Sequence, residues 1–478
     1  PARATAYAAD LMLSAAGGSM TTRLKADMQT EQYAATATAR ALPLGRLLPG
    51  SGLSPFSGSV KVAGRGFDPT ALASRLMAEA DIERLAAGQA VLDGIQIKAE
   101  SAGGKARADF SADNAFAKGR GSLTASWGRL SEATFTADID EVRLSDLMAT
   151  KDTLGIGMTA TMQVMADARS RTLEMHGAMR NIRFLTPRKS IMARDLTMDF
   201  ATSADTTTAR VTAGDLALTM GAEGRLTQIS DGLGALTAAL AAQMEQRTID
   251  LQDLRATLPV MQVDMTAGQD NPLSKILRFK GLGYETAMLR LRTSPAEGLS
   301  GEARVGKMEQ GALLIDTINA RLSQDTTGIN LTGEFHSYTK HNPNKFRAVI
   351  NAFVHQAAAG VHLDFFDARG RKGIDLGVKA TAAEDGLQVS VFPETPVIAY
   401  RNFRINGDNY VFLGREHEVR ADIDLLADDG TAMSLLGEPT DSINDLTLSM
   451  LNVNLSELSD VLPVMPRLGG MLSGDIHI

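Results

Sequence analysis

A chain of 478 residues with 44% hydrophobic content is long enough for several domains or for one large repeated architecture. Its 48 basic and 56 acidic residues are interspersed, so no basic tract is present to grip a phosphate backbone, and nucleic acid is not expected as a partner. The absence of cysteine excludes disulfides and thiolate metal sites, and no apolar run of about 18 residues exists to cross a membrane as a helix.

In chain order, the first marker is LPLGRLLP from Leu42, followed by TALASRLMAEADIERL (Thr70 to Leu85). The second is rich in helix formers and is the best helix candidate in the chain. IQIKAE (Ile95 to Glu100), SAGG and KARADFSA (Lys105 to Ala112) read as a hairpin around a glycine turn. LSDL follows at Leu144, and then DLTMDF, with Leu196, Met198 and Phe200 on one face. GLGALTAALAAQ (Gly232 to Gln243) and NKFRAVINAFVHQ (Asn344 to Gln356) are ambiguous between helix and strand. The later runs alternate strictly. GINLTGEF aligns Ile329 and Leu331. IDLGVKA aligns Ile374, Leu376 and Val378. GLQVSV aligns Leu387, Val389 and Val391, and VRADIDL aligns Ala421, Ile423 and Leu425. Successive side chains of a strand point to opposite faces, so each run has one dry and one wet face, the mark of antiparallel sheet. The fold class is therefore all-β, with few short helical turns.

One motif recurs. DLQDLRATLPVMQ (Asp250 to Gln262) lies over NLSELSDVLPVMP (Asn454 to Pro466) without a gap. Marks near residues 44, 144, 251 and 455 divide the chain into units of roughly a hundred residues, with no linker, so 1–478 reads as one continuous repeated structure. LPVM is expected to pack its Leu and Val-Met on the dry face while the Pro ends a helical turn and forbids ladder pairing. The closing GDIHI looks like a strand cut in mid-course, which points to a fragment of a longer protein.

A search for chemistry finds no metal, cofactor or catalytic motif. The seven histidines are scattered, REHE (Arg415 to Glu418) is not HExxH, and DIDLLADDG lacks calcium-loop spacing. There is no P-loop and no GxSxG elbow. Trp127 and Tyr410 read as packing and strand residues.

The order of SPFSGSVKVAGRGFDP, DTTTARVTAGDLALTM, LPVMQVDMTAGQDNP, IDTINARLSQDTTGINL, FRINGDNYVFL and LSELSDVLPVMPRLGGMLSGDIHI resembles the translocation-and-assembly-module TamB family, an AsmA-like group. The resemblance implies a long sheet folded lengthwise into an open trough, the β-taco or repeating β-groove. It also implies a periplasmic protein held to the inner membrane by an N-terminal helix outside this sequence. Phospholipid transport toward the outer membrane is implied, as is a partner barrel of the Omp85 type, met through parts not present here. The family supplies no catalytic residues. Two functions follow as expectations: a conduit whose dry faces hold phospholipid acyl chains, and a scaffold whose sheet edges pair with client strands. A sugar-binding face is disfavoured, because only 5% of residues are aromatic.

Overall fold

The computed structural model of the protein describes residues 5–15, 17–44, 53–68, 70–87, 90–143, 154–246, 250–311, 313–339, 342–355, 358–383, 385–415, 418–440, 443–461 and 468–477. Among them are 32 strands and four helices: α1 (Leu226–Gln246), α2 (Leu251–Ala256), α3 (Pro272–Phe279) and α4 (Leu455–Val461). The chain is all-β and divides into two compact units, Pro1–Ala217 with Asp270–Lys275, and Leu218–Gln269 with Ile276–Ile478.

Each unit is an antiparallel meander in which strands pair with their chain neighbours. Where a long strand meets two short ones, both pair with it. Arg75–Ala87 carries Ala90–Leu92 and Ile95–Ala102 along its length, and Thr172–Leu185 carries Ser190–Met192 and Leu196–Thr202. The Ile95/Lys105 hairpin turns on Gly103 and Gly104, whose φ angles of 61° and 74° require the left-handed region that glycine occupies freely.

The alternation in sequence becomes an asymmetry of exposure. In Ile95–Ala102 the burial alternates strictly between half-buried and exposed. On a flat uncovered sheet both faces would be equally wet. In the first unit the extensive contacts are those between neighbouring strands, and Leu24, Val60 and Leu123 on the apolar face remain 39%, 36% and 40% exposed. The apolar face is therefore sheltered by curvature: the sheet bends toward it into an open trough and does not close as a barrel.

The bend has a local cause. Register shifts recur near the strand ends away from the tight turns, at Ala39/Leu42, Ile139/Glu141 and Gly157/Thr159 in the first unit. Bulges kink a strand and raise its twist. Ala41, Asn181 and Asn452 sit in such shifts with φ of 48°, 53° and 55°, a conformation costing an ordinary residue roughly 1–2 kcal/mol. Among the described residues, the large apolar side chains that are fully buried in the first unit are Leu42, Leu154, Ile182 and Phe184. In the second unit α4 plugs the corresponding place: Val461 and Leu458 pack against Ala348, Phe365 and Ile374.

The helix expected over Thr70 to Leu85 is not formed; after a turn at Thr70, Arg75–Ala87 is a strand. Leu76, Ala78, Ala80 and Ile82 alternate with Met77, Glu79, Asp81 and Glu83. The central apolar members find apolar partners on both sides, Val62 and Ala99 beside Ala78, Val60 and Ile97 beside Ala80. That cross-strand packing outweighs intrinsic helix preference. Of the two ambiguous runs, Gly232 to Gln243 lies inside α1, and Asn344 to His355 of the second falls on the strand Asn342–His355, with Gln356 outside the described residues. At the first LPVM, α2 ends at Ala256, Leu258 is buried and the strand Met261–Ala267 begins. The second LPVM, Leu462 to Met465, and LSDL at 144–147 lie outside the described residues.

Phe184 is wholly buried at the crease and Leu123 is 40% exposed on the trough floor. Phe184→Ala should cost about 3–5 kcal/mol and Leu123→Ala about 1 kcal/mol or less. Urea midpoints of the two variants test this; equal shifts would show that the crease is not the stabilising core of that unit.

Candidate apolar groove

Cross-strand register turns alternating strands into continuous rows. In the first unit one row runs through Ala9, Leu24, Ala35, Val62, Ala78, Ala99 and Ala108. It continues through Leu123, Phe135, Met162, Gly177, Met198 and Val211. Thirteen strands contribute, and no polar side chain interrupts the row. At ~4.8 Å per strand it measures roughly 58 Å along the sheet. None of its members is fully buried.

The second unit repeats the arrangement. Leu322, Leu331, Ala352, Val361, Val378 and Val391 stand opposite one another across six strands. Leu331, Val361 and Val378 remain 41%, 41% and 39% exposed. A neighbouring row joins Ile329, Val354, Ala359, Ala380, Val389, Val411 and Ala421.

The sequence-derived positions separate into two environments. Leu196, Met198, Phe200, Ile329, Leu387, Val389 and Val391 are half-buried, and Leu331 and Val378 exposed, on the apolar face. Ile374 is buried beneath α4 with Leu376 packed beside it. Leu425 is buried with Phe403 and Ala427 while Ile423 packs against them, and Ala421 is also buried. The sequence pattern marks all of these as one face; it does not separate the open floor from the plugged crease.

The opposite face is polar and organised by charge. A single row crosses Asp10, Arg23, Thr36, Lys61, Glu79, Lys98 and Asp109. Arg23 Nε lies 3.0 Å from Asp10 Oδ1. Alternating signs suit a solvated outer surface, where each such pair contributes little individually.

One cluster on the polar side was not legible in the sequence. His362, Asp364 and Asp375 bring ligand-type atoms within 4.8 Å of one another. Pairing of Val361–Asp364 with Asp375–Val378 makes them neighbours. The Lys372 ammonium lies 2.5 Å from Asp375 Oδ2 and 2.9 Å from Asp364 Oδ1, and His362 Nε2 is 2.8 Å from Asp375 Oδ1. Lys372 thus supplies the cation that the carboxylates require. Hydrogen bonds to Asp375, then Asp364, raise its pKa. Burial pushes Asp375 upward, yet its hydrogen bonds to Lys372 and His362 bring it below the usual carboxylate value.

The fold and the two rows define a class: an antiparallel sheet protein with one sheltered, uninterrupted apolar face and one charged face. No family model, curated protein or solved structure matches the chain. Among the described residues no helix is long and apolar enough to cross a membrane.

A lowered carboxylate pKa stabilises the fold above the unfolded value near 3.8, and that stability is lost as pH falls through the folded value. Lys372→Met removes the cation and leaves Asp375 with its burial and the single hydrogen bond from His362, which shifts the balance toward its neutral form. The thermal midpoint of this variant should fall well below the parent at pH 7 and approach it at pH 3. A gap of the same size at both pH values would mean that the ion pair contributes nothing.

Proposed function

We propose that the protein is a lipid-conduit segment whose trough floor holds phospholipid acyl chains. The observation that carries this reading is the unbroken apolar row, half-sheltered along its length. A surface of this kind forfeits dispersion contacts unless something fills it. Acyl chains present only methylenes, and an aliphatic floor without hydrogen-bonding groups is matched to them. Each methylene removed from water contributes roughly 0.8 kcal/mol, so about eight of them would hold a lipid through purification. The resemblance to the TamB family supports the same reading. With it come a periplasmic position, an inner-membrane anchor and an Omp85-type barrel met through segments beyond this sequence.

A second reading is a scaffold for outer-membrane protein assembly, favoured by the strand Ala6–Ala15. Among the described residues it pairs on one side only, and Leu11 and Met12 are 59% and 79% exposed. An unpaired strand edge without lysine or proline is a template for an incoming strand.

Photo-crosslinking residues at positions 331 and 389, on the floor, should yield lipid adducts. Positions 332 and 388, on the other face of the same strands, should not. Equal labelling of both sets, or of neither, removes the conduit reading, and protein adducts at 331 and 389 move the weight to the scaffold.

A further inference from the structure

The polar face of the first unit breaks its alternation of charge at one place. Near the hairpin ends of their strands, Arg65 and Arg75 stand directly opposite each other. The next positions across the same row are Ala102 and then Lys105. Like charges facing one another across a ladder are destabilising. Among the described residues none of these three cations has a carboxylate within ion-pair distance.

Asp27, Glu100 and Glu132 line the same surface, and among the described residues none of them is within ion-pair distance of these three cations. Asp27 accepts hydrogen bonds from the backbone N–H groups of Gln29 and Thr30 in its own turn. Glu100 stands opposite Arg107, whose guanidinium is held by both oxygens of Asp109 at 2.9 Å.

The surface here is also concave. A cleft of about 690 Å³ lined by Lys25, Asp27, Gln32, Arg65 and Arg75 adjoins one of about 600 Å³ lined by Arg75, Glu100, Lys105, Ser126 and Glu132. The two share Arg75, Leu76 and Met77. Ala34 and Ala63 keep the floor of the first cleft low. Two guanidinium forks and an ammonium without an ion-pair partner, above a shallow floor of Ala34, Ala63 and Met77, match the oxygens of a tetrahedral dianion. The chain as a whole carries a formal charge of -8, so long-range attraction does not supply this affinity; the local group must.

We propose that the Arg65–Arg75–Lys105 cleft, on the face opposite the apolar floor, binds a phosphate group. The group is either inorganic phosphate or the headgroup phosphate of an anionic lipid at a membrane surface. The site goes beyond the conduit reading and stands or falls without it.

The test uses the full chain, the double variant Arg65→Gln/Arg75→Gln, and Arg23→Gln as a control outside both clefts whose charge Asp10 already neutralises. Calorimetric titration with inorganic phosphate is one arm. Co-sedimentation with phosphatidylglycerol vesicles, against phosphatidylcholine vesicles, is the other. The parent should bind in at least one arm, phosphatidylglycerol in preference to phosphatidylcholine. The double variant should lose about tenfold or more in that arm, with Arg23→Gln close to the parent. Phosphate binding assigns a soluble anion, and vesicle binding alone assigns the headgroup. Relief of the Arg65–Arg75 repulsion should leave the thermal midpoint of the double variant unchanged or raised, so loss of binding is not loss of fold. Absence of binding in both arms, retention by the double variant, or an equal loss in Arg23→Gln overturns the proposal.

Discussion

The structure rests on one constraint. An antiparallel meander with period-two sequence sends every apolar side chain to the same face, and the meander continues strand after strand without supplying a layer to cover it. An ordinary sheet protein folds a second sheet or a helix onto that face. Here curvature substitutes for the second layer over much of the first unit. The rows through Val62, Ala78 and Ala99 are half-sheltered by their own neighbours and remain open to anything of matching chemistry.

Curvature has to be built into the backbone, and it is built at one edge. Register shifts beside Ala41, Asn181 and Asn452 place non-glycine residues at positive φ. Buried side chains lie close to these positions in the chain, Leu42 next to Ala41, Ile182 next to Asn181 and Val453 next to Asn452. Rigid support and open surface are thereby segregated within the same strands. In Lys372–Ala383, Ile374 belongs to the packed crease and Val378, four residues on, to the open floor.

The polar face follows a different rule. Its charges are mostly arranged by sign across the ladder, as at Asp10 and Arg23, or gathered around a shared cation, as at Lys372. Against that background the facing pair Arg65 and Arg75 is an exception, and it lies in a concavity. A sheet with one face for acyl chains and a separate cationic cleft on the other would keep apolar and anionic ligands apart without any moving part.

The sequence by itself determined the class of fold and the sidedness of its strands. Alternation in IQIKAE, IDLGVKA and VRADIDL assigns each residue to a face, because strand geometry leaves only two. The helical turns before the first LPVM were legible for the same local reason: Leu251 and Leu254 stand three apart, one turn along α2. Tertiary structure decided what local pattern does not encode. Arg75–Ala87 is a strand although its residues favour a helix, because Val60, Val62, Ile97 and Ala99 wait on either side. Ile374 and Val378 look identical in sequence, yet only one lies beneath α4. His362, Asp364 and Asp375 meet Lys372, and Arg65 meets Arg75, through the register of paired strands. Register is a relation between segments, so a single segment read alone carries no trace of it.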